Sequence, residues 1–240
     1  MLEARAVGEA GAMLASIPWL NRLPKGDGHP VLVFPGLTAN DLSTKPLRGF
    51  LDRLGYATQG WGQGFNRGPR SGVLARCTAD AMAMHEKHGR AVSLVGWSLG
   101  GLYAREVAKA LPGQTRCVVT LGTPFAGDLK ANNAWRAFQW LSGHSAPDAS
   151  LVERLSAPPP VPTTSIYSRS DGIVSWRSSL NAPAALAENI EVPASHLGMA
   201  MNPLALYALA DRLAQPEGAW RPFEARGLRR WFFRTGAAGR

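Results

Sequence analysis

The segment around residue 98 constrains the fold more than any other part of the chain. Gly96-Trp97-Ser98-Leu99-Gly100 places a serine between two glycines, directly after the apolar run Ala91–Val95. Leu102–Leu111 follows as a predicted helix that ends at a Pro-Gly pair. Such a pentapeptide also arises by chance, but a strand before it and a helix after it argue against chance. The segment therefore predicts a strand–turn–helix unit that exposes the hydroxyl of Ser98 as a nucleophile.

Short apolar runs that suit buried strands alternate with helical segments along the rest of the chain. The strands are predicted at Val31–Phe34, Tyr56–Gly60, Ala91–Val95, Arg116–Leu121, Thr163–Tyr167 and Asn189–Val192. The helices are predicted at Glu3–Leu20, Leu47–Leu54, Val73–His88, Leu102–Leu111 and Leu204–Ala214. This alternation is typical of an α/β fold, a mostly parallel sheet with helices on both faces.

One interval breaks this alternation. We expect residues 1–240 to form a single domain, with an insert at about 125–162. Trp135, Phe138 and Leu141 recur at helical spacing within it, which gives one apolar face to a short helix. The insert is therefore predicted to be a small cap or lid over the sheet rather than a second domain.

The charge distribution limits the classes of partner. The net charge is +9, and the segment 217–240 supplies +4 of it through six arginines against two glutamates. The remaining excess is spread without a dense cluster, so nucleic acid is not expected as a partner. Trp231-Phe232-Phe233 within this basic tail suits a weak contact with an anionic membrane surface. Packing of the tail against the body, or disorder, is the favoured interpretation, and the membrane contact is the alternative.

Several other classes lack support in the sequence. The chain has neither a CxxC pair nor an HExxH motif, so no metal and no cofactor are expected. The N-terminal residues do not follow the pattern of a signal peptide, and no apolar stretch of about 18 residues suggests a membrane span. Two cysteines suit a reducing compartment, and the predicted location is cytoplasmic.

A serine nucleophile needs a base, and the chain has five histidines. His196 follows the predicted strand Asn189–Val192, and open α/β sheets bind ligands at the carboxyl ends of their strands. His196 is therefore the predicted base. The other histidines precede the Ser98 strand or lie in the insert, namely His29, His85, His88 and His144.

The third group must orient the imidazole and stabilise its charged form. Asp171 follows the predicted strand Thr163–Tyr167 and lies between Ser98 and His196 in chain order. Asp-Gly pairs are also common in turns, so a purely structural role for Asp171 is the alternative. Two rival acids, Asp128 and Asp148, lie in the insert and do not directly follow a strand.

The oxyanion of a tetrahedral intermediate requires backbone N–H donors. One is predicted at Leu99, the residue after the nucleophile. The other is predicted in the loop after the first strand, at Leu37, with Thr38 as the runner-up.

These residues resemble the α/β-hydrolase family and, within it, the bacterial lipase-like esterases. The resemblance covers about 30–214 and rests on Val31–Leu37, Leu94–Gly101, Leu121–Gly127, Ile166–Val174 and Ser195-His196. It implies a mostly parallel α/β-hydrolase sheet with helices on both faces and a small cap insert. One departure is Pro35-Gly36, where the family often has His-Gly. Because proline has no N–H, the hydrogen bonds that support the Leu37 amide must differ here.

The resemblance implies cleavage of a carboxylic ester through an acyl-enzyme. Trp97, Phe125 and Met199 are predicted to line an apolar substrate pocket, so a lipid-like or aryl ester is the expected small-molecule substrate. An acyltransferase, a thioesterase or a lactonase would use the same residues. A hydrolase-like scaffold that binds a ligand without catalysis is a further alternative.

Overall fold

A computed structural model describes residues 2–127 and 149–235 of the chain. One sheet contains seven strands in these ranges: β1 (Pro30–Phe34), β2 (Ala57–Gly60), β3 (Val92–Trp97), β4 (Thr115–Leu121), β5 (Thr163–Tyr167), β6 (Ala187–Glu191) and β7 (Arg234–Thr235). The α-helices of the same ranges are α1 (Arg5–Leu20), α2 (Asp41–Arg53), α3 (Val73–His88), α4 (Leu99–Ala110), α5 (Ala149–Ser156) and α6 (Pro203–Leu213).

The strands lie in the order β2-β1-β3-β4-β5-β6-β7. Every neighbouring pair is parallel except β6 and β7. All side chains of β1 and β5, and most of those of β3, are buried. This burial is typical of strands that are covered on both faces. The predicted α/β fold is confirmed, and parallel pairing brings the carboxyl ends of β1, β3, β4, β5 and β6 to one edge.

Helices cover both faces of the sheet. Val31 and Val33 of β1 face a core shared with α1, α2 and α6. The alternate residues Leu32 and Phe34 face a second core shared with α3 and α4. This separation follows from the two-residue period of a strand, which points successive side chains to opposite faces.

Helix α3 has the predicted bounds, and Gly89 ends it with a φ of +61°. Helix α2 begins at Asp41, well before the predicted Leu47. Asn40 caps it, because its side-chain oxygen accepts a hydrogen bond from the Leu42 amide at 3.0 Å. The sequence did not indicate this start, because neither the polar first turn nor Pro46 contributes to an apolar helical pattern.

The elements next to Ser98 are longer than predicted. Strand β3 continues to Trp97 because Gly96 and Trp97 still pair with β4, and α4 begins at Leu99. Ser98 alone therefore separates strand from helix. The prediction had ended the strand at Val95.

The predicted insert lies largely outside the described residues. The residues of the insert that are not described include Asp128, Trp135, Phe138, Leu141, His144 and Asp148. Both of its flanks contact Arg105 of α4. The buried guanidinium donates to the carbonyls of Ser156 and Ala157 at 3.1 Å and lies 3.7 Å from the ring centroid of Phe125. Burial lowers the pKa of Arg105 to about 9. Helix α4 thus holds the chain on both sides of residues 128–148.

Part of the basic tail belongs to the fold. Phe223 and Phe233 are buried against Tyr207 of α6, and β7 extends the sheet next to β6. None of the helices within residues 2–127 and 149–235 is both long and apolar enough to cross a membrane.

Candidate active site

The turn that carries Ser98 is a strained backbone held by close contacts. Ser98 has a φ of +53°, a left-handed value that L-residues rarely adopt. Its amide donates to the carbonyl of Leu121 at 2.8 Å. A Cβ on Gly96 would overlap the backbone of Gly101, and one on Gly100 would overlap the carbonyls at the end of β1. The two glycines are therefore required by sterics, and the turn presents the serine hydroxyl at the carboxyl edge of the sheet.

The structure brings Ser98, His196 and Asp171 together. Nε2 of His196 lies 2.9 Å from Oγ of Ser98, and Nδ1 lies 2.7 Å from Oδ2 of Asp171. Ser98 is 6% exposed and His196 is 3% exposed. Because an ionised carboxylate only accepts hydrogen bonds, this arrangement assigns the imidazole proton to Nδ1. Nε2 is then free to accept the proton of the serine hydroxyl.

Backbone groups fix the carboxylate of Asp171. Its Oδ1 accepts hydrogen bonds from the amides of Ile173 at 2.9 Å and Val174 at 2.7 Å, which leaves Oδ2 for the histidine. Gly122, with a φ of +55°, lies against the pair. A Cβ there would be 3.1 Å from Oδ2 of Asp171 and 3.2 Å from Nδ1 of His196, closer than such contacts normally are.

The other described histidines lie away from this edge. His29 precedes the amino end of β1, whereas Ser98 follows the carboxyl end of β3. It is fully buried, and burial lowers its pKa to about 3. His85 and His88 lie in the last turn of α3. Of all the histidines in the described residues, only His196 contacts Ser98.

Two backbone amides next to Ser98 are available to a ligand. Leu99 is the first residue of α4, where an N–H has no intrahelical acceptor. The loop after β1 touches Ser98, since a Cβ on Gly36 would be 3.2 Å from that of the serine. In this loop the Thr38 amide already donates to the carbonyl of Asn66 at 2.7 Å. The Leu37 amide has no acceptor among the described residues, which favours Leu37 over Thr38 as an oxyanion donor.

Asn66 is a residue that the sequence analysis missed. Its buried side chain donates to the carbonyl of Pro35 at 2.9 Å, and its own amide donates to the carbonyl of Ala39 at 2.8 Å. Together with the Thr38 contact, these bonds hold both ends of the loop that contains Leu37. They supply the support that Pro35 cannot give through an N–H of its own. The Asx turn of Asn66 onto Gly68 indicates a local turn, but no pattern indicates the contact with Pro35.

The three predicted pocket residues have contacts of a different kind. The indole of Trp97 donates to the carbonyl of His196 at 3.1 Å and so supports the histidine. Phe125 is fully buried under Arg105, and Met199 is fully buried beside Gly122. Their role in a substrate pocket stays a prediction.

The N-terminal segment also reaches this site, which the sequence did not indicate. Glu3 and Glu9 accept hydrogen bonds from the loops that carry Asp171 and His196. Burial raises the pKa of Glu3, but the amides of Leu197, His196 and Gly172 outweigh it and hold that pKa below its ordinary range. Within the described ranges, no three His, Cys, Asp or Glu side chains are grouped so that they could hold a metal ion.

No protein-family model matches the chain, and a search of curated proteins found no match. Solved structures do resemble it. Lipase B from Aspergillus fumigatus superposes with a TM-score of 0.65 at 18% identity; the match covers 81% of this chain and 55% of that enzyme, so the chain spans about half its length. A Bacillus licheniformis lipase gives a TM-score of 0.60 at 14% identity, with 80% and 94% of the two chains covered.

A monoacylglycerol lipase from Paleococcus ferrophilus gives a TM-score of 0.58 at 15% identity, with 80% of this chain and 96% of that one covered. At such identities the likeness concerns the fold. The sheet order, the turn at Ser98 and these superpositions agree, and the chain has the α/β-hydrolase fold.

Proposed function

We propose that this protein is a serine hydrolase that cleaves carboxylic esters through an acyl-enzyme. The observation that carries the proposal is the continuous hydrogen-bonded chain from Oγ of Ser98 through His196 to Asp171, at 2.9 and 2.7 Å. A nucleophile, a base and an orienting acid in this geometry are the parts that acyl transfer needs. The solved structures of this fold that carry the names of lipases support the same reaction class.

In the acylation half-reaction, Oγ of Ser98 attacks the carbonyl carbon of the ester while its proton passes to Nε2 of His196. The carbonyl electron pair moves onto oxygen, and the amides of Leu99 and Leu37 stabilise this oxyanion. The carbon–oxygen bond to the leaving group then breaks. The alkoxide takes the proton from Nε2 and departs as an alcohol, and the acyl group remains on Ser98.

Deacylation repeats these steps with water. Nε2 of His196 removes a proton from water as its oxygen attacks the acyl carbon. The second tetrahedral intermediate collapses, Oγ of Ser98 recovers the proton, and the carboxylic acid is released. Throughout both halves Asp171 holds the imidazole in one tautomer and stabilises its charged form.

A lipid-like or aryl ester is the proposed substrate class. Trp97 directly precedes Ser98, Phe125 lies in the segment after β4, and Met199 lies beside Gly122. The proposal further includes a lid formed by the insert at about 125–162, because Trp135, Phe138 and Leu141 recur there at helical spacing.

A panel of p-nitrophenyl esters with graded acyl length tests the proposal. We expect the wild-type protein to hydrolyse the panel and the Ser98→Ala and His196→Ala variants to lose activity with unchanged melting temperatures. A Ser98→Ala protein that kept full activity would overturn it, and so would a folded wild-type protein that cleaved no ester.

A further inference from the structure

Glu3 connects the two loops that carry the acid and the base. We call residues 168–174 the acid loop and residues 193–198 the histidine loop. Oε1 of Glu3 accepts hydrogen bonds from the amide of Gly172 at 2.9 Å and from the amide of His196 at 3.0 Å. Oε2 accepts a third from the amide of Leu197 at 2.8 Å. One carboxylate therefore binds a backbone group next to Asp171 and the backbone of His196 itself.

Glu9 binds the same histidine loop from the first turns of α1. Oε1 accepts from the amide of Ser195 at 2.8 Å and from the side chain of Asn202 at 3.0 Å, and Oε2 pairs with the hydroxyl of Ser195. Asn202 also caps α6 through the Leu204 amide at 2.9 Å. A Cβ on Gly198 would overlap the carboxylate of Glu9, so the loop fits closely around it.

Arg5 lies between Glu3 and Glu9 in the chain and adds a contact with the acid loop. Its guanidinium donates to the backbone carbonyl and the hydroxyl of Ser170, both at 3.0 Å. The hydroxyl of Ser170 in turn lies 3.3 Å from the carbonyl of Ala194, which joins the acid loop to the histidine loop. The N-terminal segment thus contacts the acid loop through Glu3 and Arg5, and the histidine loop through Glu3 and Glu9.

We propose that Glu3 and Glu9, together the N-terminal clamp, are positioning residues that set the distance between Asp171 and His196. Charge-assisted hydrogen bonds to backbone N–H groups are short and strong, and here they converge on the two loops whose side chains must meet at 2.7 Å. The effect of the clamp on turnover rests on the proposed function; its effect on the two loops does not.

The expected size follows from how steeply acyl transfer depends on geometry. A displacement of about 1 Å in a reacting group costs about 100-fold in rate. We therefore expect Glu3→Gln and Glu9→Gln each to lower kcat by roughly tenfold and the double variant by roughly 100-fold. KM is expected to stay unchanged, because neither Glu3 nor Glu9 contacts Ser98, where the substrate would bind.

Two measurements test the clamp. The first is hydrogen exchange of the amides in the acid and histidine loops, which should be slow in the wild-type protein and fast in the double Glu→Gln variant. The second is kcat and KM on the best ester of the panel. Glu86→Gln, an exposed carboxylate on α3, is the matched control and should change neither measurement.

Gly198→Ala provides an independent variant that leaves every charge in place. Its Cβ should displace the Glu9 carboxylate from the loop side and reproduce the kcat loss of Glu9→Gln. Unchanged exchange in the double variant would overturn the clamp, as would faster exchange with unchanged kcat. A wild-type protein without ester activity would refute the proposed function, while the exchange experiment would still decide whether the clamp holds the loops.

A second surface is carried by a different observation. In the C-terminal segment, Trp231 is 84% exposed, Leu228 is 79% exposed and Phe232 is 53% exposed. Large apolar side chains so close together on a surface mark a contact site. Arg230 and Arg234 lie among them without an acidic partner in the described part of the chain.

We infer that this basic apolar surface docks on an anionic phospholipid bilayer. Exposed aromatic and aliphatic side chains insert at the headgroup boundary, and arginines are attracted by anionic headgroups. A groove of about 340 Å³ between Trp231 and Ser170 continues the surface to the acid loop. Docking would bring that edge of the candidate site towards the lipid.

Cosedimentation with vesicles tests this inference. We expect binding to phosphatidylcholine vesicles that contain phosphatidylglycerol, and a loss of at least about tenfold in Trp231→Ala/Phe232→Ala and in Arg230→Gln/Arg234→Gln. Arg53→Gln/Arg70→Gln removes the same charge elsewhere and should bind normally. No binding to the anionic vesicles, equal binding to pure phosphatidylcholine, or an equal loss in the control would overturn the inference.

Discussion

The turn around Ser98 and the N-terminal clamp hold parts of the same site by opposite means. The turn depends on close backbone packing: a Cβ has no room on Gly96, which lies against α4, or on Gly100, which lies against the end of β1. The clamp is remote, since Glu3 lies 193 residues before the His196 amide that it binds. Close backbone packing and one backbone hydrogen bond thus position Ser98, whereas charged side chains from α1 and the segment before it bind the loops of Asp171 and His196.

The two regions also differ in their chemistry. Around Ser98 the constraints are van der Waals contacts and a hydrogen bond between uncharged backbone groups, which do not depend on the ionisation of a side chain. The clamp consists of carboxylates that accept hydrogen bonds at a partly exposed surface, and the backbone amides bound to Glu3 hold the pKa of that carboxyl below its ordinary range. A substitution around Ser98 should therefore have a large effect on activity at once, whereas each substitution in the clamp should have a partial effect.

Asp171→Asn should give the largest effect, because it damages the group that both regions serve. An amide in place of the carboxylate favours the wrong imidazole tautomer, and kcat should fall about 10,000-fold. Steady-state kinetics with the best ester, beside the melting temperature, measure this. A fall of less than tenfold would place Asp171 in a turn-forming role only.

Gly100→Ala should break the local region. The added Cβ overlaps the carbonyls of Phe34 and Pro35, so the helix start must move and carry the Leu99 amide with it. We expect about 100- to 1,000-fold lower kcat, the cost of losing one oxyanion donor, together with destabilisation by about 1–3 kcal/mol. Gly113→Ala, where a Cβ meets nothing, is the matched control for the denaturant midpoint. A stable and fully active Gly100→Ala protein would contradict the steric account.

Asn66→Ala sharpens the comparison, because it removes a remote support from the oxyanion side. Loss of the bond to the Pro35 carbonyl should loosen the loop that contains Leu37 and lower kcat by about 10- to 100-fold. A boronic acid mimics the tetrahedral intermediate. The kcat for the ester and the affinity for the boronic acid should therefore fall together. Equal inhibition of both proteins would show that Asn66 does not support the oxyanion donor.

The pH dependence of stability should give the smallest effect. The folded-state pKa of Glu3 is lowered from 4.5, so its stabilising contribution is present above that pH and is lost as the pH falls through the lowered value. Glu3→Gln should therefore melt about 2 °C below the wild type at pH 7, and the difference should shrink steadily as the pH is lowered from 4.5. A difference that stayed constant as the pH was lowered from 7 until the wild type unfolds would show that the Glu3 charge is not its cause.

The sequence predicted what local patterns encode. The run Val31–Phe34 predicted β1, the periodicity of Val73–His88 predicted α3, and the position of each polar residue after a strand placed Asp171 and His196 at the edge of Ser98. Parallel pairing brings such positions together whatever the loops contain.

The rest depends on contacts between distant residues. Asn66 reaches Pro35 and Glu9 reaches Ser195 only because the sheet and α1 bring them together. An isolated glutamate in a helix is ordinarily a solvated side chain, and nothing in its neighbours marks it as a ligand for backbone amides. The burial of Phe233 next to the exposed Phe232 is likewise decided by the pairing of β7 with β6.

Labelling with a fluorophosphonate, followed by peptide mapping, tests the central claim most directly, because the reagent reacts with an activated serine without any assumption about the substrate. We predict a single adduct on Ser98 in the wild-type protein, none in His196→Ala and a slower reaction in Glu3→Gln/Glu9→Gln. An adduct on another serine, or an unlabelled protein that still hydrolyses esters, would contradict the assignment of Ser98 as the nucleophile.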